Sequence, residues 1–151
     1  MVDLILLKKL RMETSAGIAD CRLALEATKG DYKKAIVWLR EHGLEKAAKK
    51  ADRETSQGLV ETYVHQNGRV GSMIEILCET DFVARTDEFK NLVHEISMQV
   101  GAMNPKDVSA LLKQEYIRDS SKTIDDLIKE AIAKLGENIV VKKLQRFEIG
   151  E

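Results

Sequence analysis

Gly58-Leu59-Val60-Glu61-Thr62-Tyr63-Val64-His65-Gln66-Asn67-Gly68-Arg69-Val70-Gly71-Ser72-Met73-Ile74-Glu75-Ile76-Leu77-Cys78-Glu79 is where the chain changes period. Before it, apolar residues recur every three or four positions; from Gly58 they alternate. The alternating runs 59–65 and 70–79 flank Asn67-Gly68. Both residues of that pair tolerate positive φ, so the stretch predicts an antiparallel hairpin with a tight turn. In the second run Ile74, Ile76 and Cys78 share one face while Glu75 and Glu79 share the other. The expected sheet has one buried and one wetter face.

Immediately after the hairpin, Thr80-Asp81-Phe82-Val83-Ala84-Arg85 forms a corner before the next helical pattern. Phe82 is one of only three phenylalanines, so its position at a strand-to-helix corner asks for a reason. It either folds back into the core or is presented by the scaffold to something else. The helix beyond carries Phe89, Leu92, Val93, Ile96, Val100 and Met103 on one stripe, with Thr86 or Asp87 at its start. Asn104-Pro105 ends it and opens a short helix through Val108, Leu111 and Leu112. Thr123 and Asp126 have capping-box spacing before a helix with Ile124, Leu127, Ile128, Ala131, Ile132 and Leu135, closed by Gly136. Residues 138–149 read as a last strand in which Lys142-Lys143 breaks the alternation and marks a bulge or an edge.

Toward the N-terminus the pattern is helical throughout. Asp3 opens a helix with Leu4, Leu7 and Leu10. Thr14 or Ser15 can cap a second, whose inner face is Ile18, Cys21, Ala24 and Leu25. Gly30 stops it, Asp31 starts a third with Ala35, Ile36 and Leu39 inside, and Gly43 is expected to end that one. From Glu45 to Glu54 the apolar anchors vanish and Lys46, Lys49, Lys50 and Arg53 alternate with alanines. This reads as a solvated helical spacer, with a direct partner contact as the other reading. The resulting fold class is α+β: a three-helix bundle over 1–43, a helical linker over 44–57, and a three-stranded antiparallel sheet packed with helices over 58–151. Three strands leave two open edges and one helical layer leaves a bare face, which points to self-association.

Composition narrows the function. Charged residues make up 32% and hydrophobic ones 44% of the 151, as in a soluble globular chain. A formal net charge of -1 supplies no field for nucleic-acid binding. Leu4-Ile5-Leu6-Leu7 is too short to span a membrane, is cut by Lys8-Lys9 and is followed by no cleavage pattern. Cys21 and Cys78 read as buried free thiols of a reducing compartment, so a cytoplasmic protein is expected. His42, His65 and His94 lie on different elements, the placement of Cys21 and Cys78 on apolar faces argues against a nucleophile, and no glycine-rich phosphate loop is present. No catalytic residue, metal or cofactor is expected, and the reading is a binding protein rather than an enzyme.

Four segments, in order, then resemble one family. Residues 14–25 (Thr-Ser-Ala-Gly-Ile-Ala-Asp-Cys-Arg-Leu-Ala-Leu), with Gly30-Asp31, look like the N-terminal module of bacterial translation elongation factor Ts. Residues 44–51 are similar to the segment that follows it, Thr80-Asp81-Phe82-Val83-Ala84-Arg85 to the family's central motif, and 135–139 with 146–151 to its closing strand. The resemblance implies a guanine nucleotide exchange factor that binds elongation factor Tu and promotes GDP release during translation. It implies that the first module is a ubiquitin-associated-type bundle docking on that partner. It also implies that Thr80, Asp81, Phe82 and Val83 enter the partner near its Mg²⁺, with Ile18, Arg22 and Lys50 as additional contacts. Longer family members carry a second core subdomain and often a helical hairpin. Here Met103-Asn104-Pro105 passes almost directly to the final third, so a homodimer whose second copy supplies the missing surface is expected. The other functional class is an adaptor with a ubiquitin-associated-type binding module and a dimerising core.

Overall fold

A computed structural model describes residues 1–151. The N-terminal helices are α1 (Leu4–Thr14), α2 (Ile18–Ala27) and α3 (Tyr32–Lys50). Asp3 caps α1 by accepting from the Ile5 N–H, and Asp31 caps α3 by accepting from that of Lys34. Between α2 and α3, Gly30 takes a φ of 82° and its N–H returns to the Leu25 carbonyl, closing the expected stop. Leu7, Leu10, Cys21, Ala24, Leu25 and Ala35 form a small core of their own.

Three details differ from expectation. The cap of α2 is Gly17, which offers no side-chain bond, because Ser15 is used in the left-handed region to end α1 and the Thr14 hydroxyl donates to the Leu10 carbonyl. Ile18 is not on the inner face of α2 but is exposed. Most consequentially, α3 runs through Gly43 without a break. A glycine stops a helix only when the chain beyond has no better partner, and here it has one. A Cβ on Gly43 would lie 3.4 Å from that of Ala133, so the missing side chain lets α3 pack closely on a helix of the second half. Ala47, one turn on, is buried in the larger core, and Arg40 reaches the Ser121 carbonyl (3.1 Å) and Asp126 (3.7 Å). Within the alanine-rich stretch Ala47 packs into that core, while Ala48, Lys49 and residues 51–54 are exposed.

The second half holds β1 (Gln57–Val64), β2 (Val70–Cys78), a one-turn helix α4 (Asp81–Ala84), α5 (Asp87–Met103), α6 (Val108–Lys113), β3 (Glu115–Tyr116), β4 (Asp119–Thr123), α7 (Ile124–Leu135) and β5 (Ile139–Glu148). The main sheet is antiparallel in the order β1-β2-β5, with helices against one face. The chain is α+β, with a three-stranded antiparallel sheet packed with helices. Register puts Leu59, Ile74, Ile76, Cys78, Ile139, Val141 and Leu144 on the inner face, against Phe89, Val93, Ile96 and Val100 of α5 and Ile128 and Ile132 of α7. Lys142 has no partner between the pairs Ile76–Val141 and Glu75–Lys143, which is the bulge announced by the paired lysines, and β5 is an edge strand.

In the hairpin, only Gly68 has positive φ (69°); Asn67 instead accepts the Arg69 N–H on its side chain, within a five-residue loop. The outer face is less wet than the glutamates suggested. Beside Glu75 and Lys143, it carries exposed Val60, Val64, Met73, Val140 and Phe147. The short hairpin β3–β4 went unforeseen, since neither strand shows alternation. It is held by Gln99, fully buried, whose amide donates to the Glu115 carbonyl and accepts from the Ile117 N–H. No helix is long and apolar enough to cross a membrane.

Candidate functional site: the strand-to-helix corner

At the end of β2 the chain leaves the sheet and turns through Thr80 into α4. Thr80 is the cap: its hydroxyl accepts from the Val83 N–H (3.4 Å). A single turn divides its residues sharply. Val83 and Ala84 join the core, while Asp81 and Phe82 face outward. Phe82 is 78% exposed, so the corner does not fold its ring back into the protein. A lone exposed phenylalanine loses about 1.5–3 kcal/mol of burial free energy that the core could have supplied. Val83 fills that core position instead, and Thr86 caps α5 directly behind.

Asp81 is the first residue of α4, where a carboxylate meets the positive end of the backbone dipoles. Its Oδ2 accepts from the Arg85 guanidinium at 2.8 Å, one turn on. Both side chains are more than half exposed, so the pair is worth under about 1 kcal/mol and exchanges readily for another donor.

The corner is anchored from behind by residues that pattern reading did not single out for a role. Glu137, in the turn after Gly136 ends α7, accepts from the backbone N–H groups of Glu79 (3.1 Å) and Thr80 (2.9 Å) and from the Thr80 hydroxyl (2.7 Å). The buried Cys78 thiol donates to the Thr80 carbonyl (3.2 Å). Burial first, and the Glu137 carboxylate next, push that thiol up to about 11, which keeps it a neutral donor. Sequence alone could flag Gly136 as a helix stop, but nothing local reveals a partner 57 residues away.

The remaining sequence-selected residues lie elsewhere. Ile18 and Arg22, four apart on α2, share one exposed face of the first module, and Lys50 is half-buried at the end of α3. A cleft of about 780 Å³ lies between the module and the sheet half, bordered by Asp20, Arg40, Lys46, Glu95, Lys122 and Glu130. None of the selected residues lines it. Its charges are largely engaged with one another, as in the Lys46–Asp20 (2.7 Å) and Lys122–Glu130 (2.9 Å) pairs.

A helical module, a sheet half packed on its long helix, and an aromatic held out from a strand-to-helix corner define the class of protein. Comparison with known sequences gives the family. A family model described as Elongation factor TS matches residues 79–151, which begin at that corner. Over all of its length the chain is 44% identical to Elongation factor Ts of Thermoanaerobacter sp. (strain X514), covering 96% of that protein. It is 43% identical, again over its whole length, to Elongation factor Ts of Caldanaerobacter subterraneus subsp. tengcongensis, covering 98% of it. Against Elongation factor Ts of Thermosynechococcus vestitus the identity is 40%, with 97% of this chain aligned to 65% of that longer protein. The chain belongs to the elongation factor Ts family. The alignment with the Thermoanaerobacter protein runs to 196 positions against 151 residues here, so about 45 positions are occupied in that relative alone.

Proposed function

We propose that this protein is a guanine nucleotide exchange factor, not an enzyme, and that it binds elongation factor Tu in its GDP state and promotes GDP release during translation elongation. Thr80, Asp81, Phe82 and Val83 form its working corner. The observation that carries this is the 78% exposure of Phe82 on a turn anchored at its cap. Phe82 is the wedge, Asp81 sets the turn and offers its carboxylate to the partner, Thr80 caps, and Val83 seats the corner on the core.

A Mg²⁺ ion in a nucleotide site tolerates little distortion of its octahedron, so displacing a supporting element by the width of one ring loosens metal and phosphates together. Burying Phe82 contributes about 1.5–3 kcal/mol, a factor of roughly 10 to 150. Strong exchange needs more than that, and the first module supplies it through the exposed face with Ile18 and Arg22, with Lys50 at the end of α3 as a further contact. We read residues 1–43 as the docking module, 44–57 as the connection and 58–151 as the core. Whatever affinity the factor removes from GDP, GDP removes from the factor, so free nucleotide concentrations set the direction of exchange.

The same reading makes the working form a homodimer. The outer sheet face bears Val60, Val64, Met73, Val140 and Phe147 with no layer over it, and Glu75 and Lys143 sit opposite each other within it, so a second copy meets both apolar and complementary charged groups. The test of exchange uses purified elongation factor Tu loaded with fluorescent GDP. Adding the protein should accelerate release, and Phe82→Ala or Asp81→Ala should slow it about 10-fold or more without unfolding the chain. No acceleration by the parent refutes the assignment and favours the adaptor, while undiminished release with both variants removes Phe82 and Asp81 from the mechanism.

A further inference from the structure

Phe82 touches little, so its direction is set by the backbone of α4, and four residues cannot fix themselves. One turn of helix has almost no propagated hydrogen bonding to offset its ordering. Val83 and Ala84 seat it on the core, and a short run in the turn after α7 holds its N-terminal end. The Glu137 carboxylate uses both oxygens on the corner: Oε1 on the N–H groups of Glu79 and Thr80, Oε2 on the Thr80 hydroxyl. Because that hydroxyl gives its proton to Glu137, its lone pairs remain for the Val83 N–H. The acid therefore organises both the entry to the corner and the cap of α4.

The next residue ties the corner to the first module's helix. Asn138, 3% exposed, donates its backbone N–H to Glu79 (2.8 Å) and its side-chain amide to the carbonyls of Ala51 (3.3 Å) and Arg53 (2.9 Å), just past the end of α3. The Arg53 guanidinium lies 3.7 Å from the Glu79 carboxylate that accepts from Asn138. Glu137-Asn138 thus joins the end of α3, the end of β2 and the start of α4. The sheet does not need this for its own pairing, since Cys78 and Ile139 are already in register and Val83 and Ala84 are seated in the core.

We propose that Glu137 is a positioning residue for nucleotide exchange: it fixes the direction in which Phe82 is presented and, through Asn138, keeps that direction registered to α3. This rests on the reading of Phe82 as the wedge. A wedge left to order itself on contact loses backbone entropy at each residue it fixes, at the moment when binding must be spent on the partner. The first module's docking face is untouched by Glu137, so its loss acts on the rate within the complex and not on formation of the complex.

The experiment compares the full chain with Glu137→Ala, Glu137→Gln, Phe82→Ala and the Glu137→Ala/Phe82→Ala double variant. Release of fluorescent GDP from elongation factor Tu is followed over a range of factor concentrations, with a thermal melt of each variant. Glu137→Ala should lower the maximal release rate about 10-fold while the half-saturating concentration moves less than about 3-fold. Glu137→Gln should recover to within about 3-fold of the parent, because its carbonyl accepts the two N–H groups and its amide meets the Thr80 hydroxyl. The double variant should be no slower than Phe82→Ala, since Glu137 acts through that ring. If Glu137→Ala melts below the assay temperature, Thr80→Val, which removes the Oε2 contact together with the cap bond to the Val83 N–H, takes its place in the same cycle. A parental maximal rate for Glu137→Ala, or losses that multiply in the double variant, overturns the proposal while leaving the wedge intact, provided Phe82→Ala is slow. A parental rate for Phe82→Ala overturns the wedge and the proposal with it.

Discussion

Phe82 and Val83 are adjacent and apolar, yet one is 78% and the other 9% exposed. Composition cannot separate them; the pitch of one helical turn behind Thr80 does. The sequence therefore left Phe82 with two readings, and backbone geometry decides between them. Cys78 shows the opposite case, a residue whose burial was legible from alternation alone. Its thiol is raised to about 11, against 9.0 when free. The unfolded chain thus releases this proton near pH 9 and the folded chain only near pH 11. The stabilisation is whole below pH 9 and is lost as pH climbs between these values. Between pH 9 and 11 the parent should lose stability more steeply than Cys78→Ala, as denaturant titrations at fixed pH would measure. Parallel pH profiles would show that the thiol titrates alike in both states.

At the level of elements, local capping chemistry read correctly except at α2, where Gly17 replaces the expected Thr14 or Ser15. Thr123 and Asp126 form the full capping box, Thr86 caps α5, and Gly136 ends α7 at a φ of 81°. Gly43 was misread because its role depends on Ala133, ninety residues on; a helix stop and a close helix crossing use the same residue for different reasons. The β3–β4 hairpin was missed because long-range bonds from Gln99, not its own pattern, hold it. Gly58 shows how strictly one position can be set. At a φ of 153°, a Cβ there would sit 2.0 Å from the Ile76 carbonyl oxygen, inside the β1–β2 ladder. Gly58→Ala should therefore cost on the order of 3 kcal/mol or more in chemical denaturation. A change below about 1 kcal/mol would mean that β1 starts later than its register indicates.

Across the molecule, two cores share one rod. The first half of α3 closes the small bundle with Ala35, and its second half enters the larger core with Ala47. That continuity suits the proposed exchange role, in which docking face and wedge keep a fixed relation, and it was hidden because alanines and lysines carry no apolar stripe. The open sheet face carries the other whole-molecule expectation. Sedimentation of the free chain should give a dimer, and Phe147→Glu, at a 70% exposed position on that face, should give a monomer with an unchanged melt of its helices. A monomeric parent at tens of micromolar would remove the second copy from the account.

The central claim, that the exposed ring of Phe82 is what drives nucleotide out, is tested most directly by release of fluorescent GDP from elongation factor Tu with the parent, Phe82→Leu and Phe82→Ala at matched concentration. The account predicts rates falling in that order, with Phe82→Ala slower than the parent by about 10-fold or more at equal thermal stability. Three superimposable release curves would contradict it.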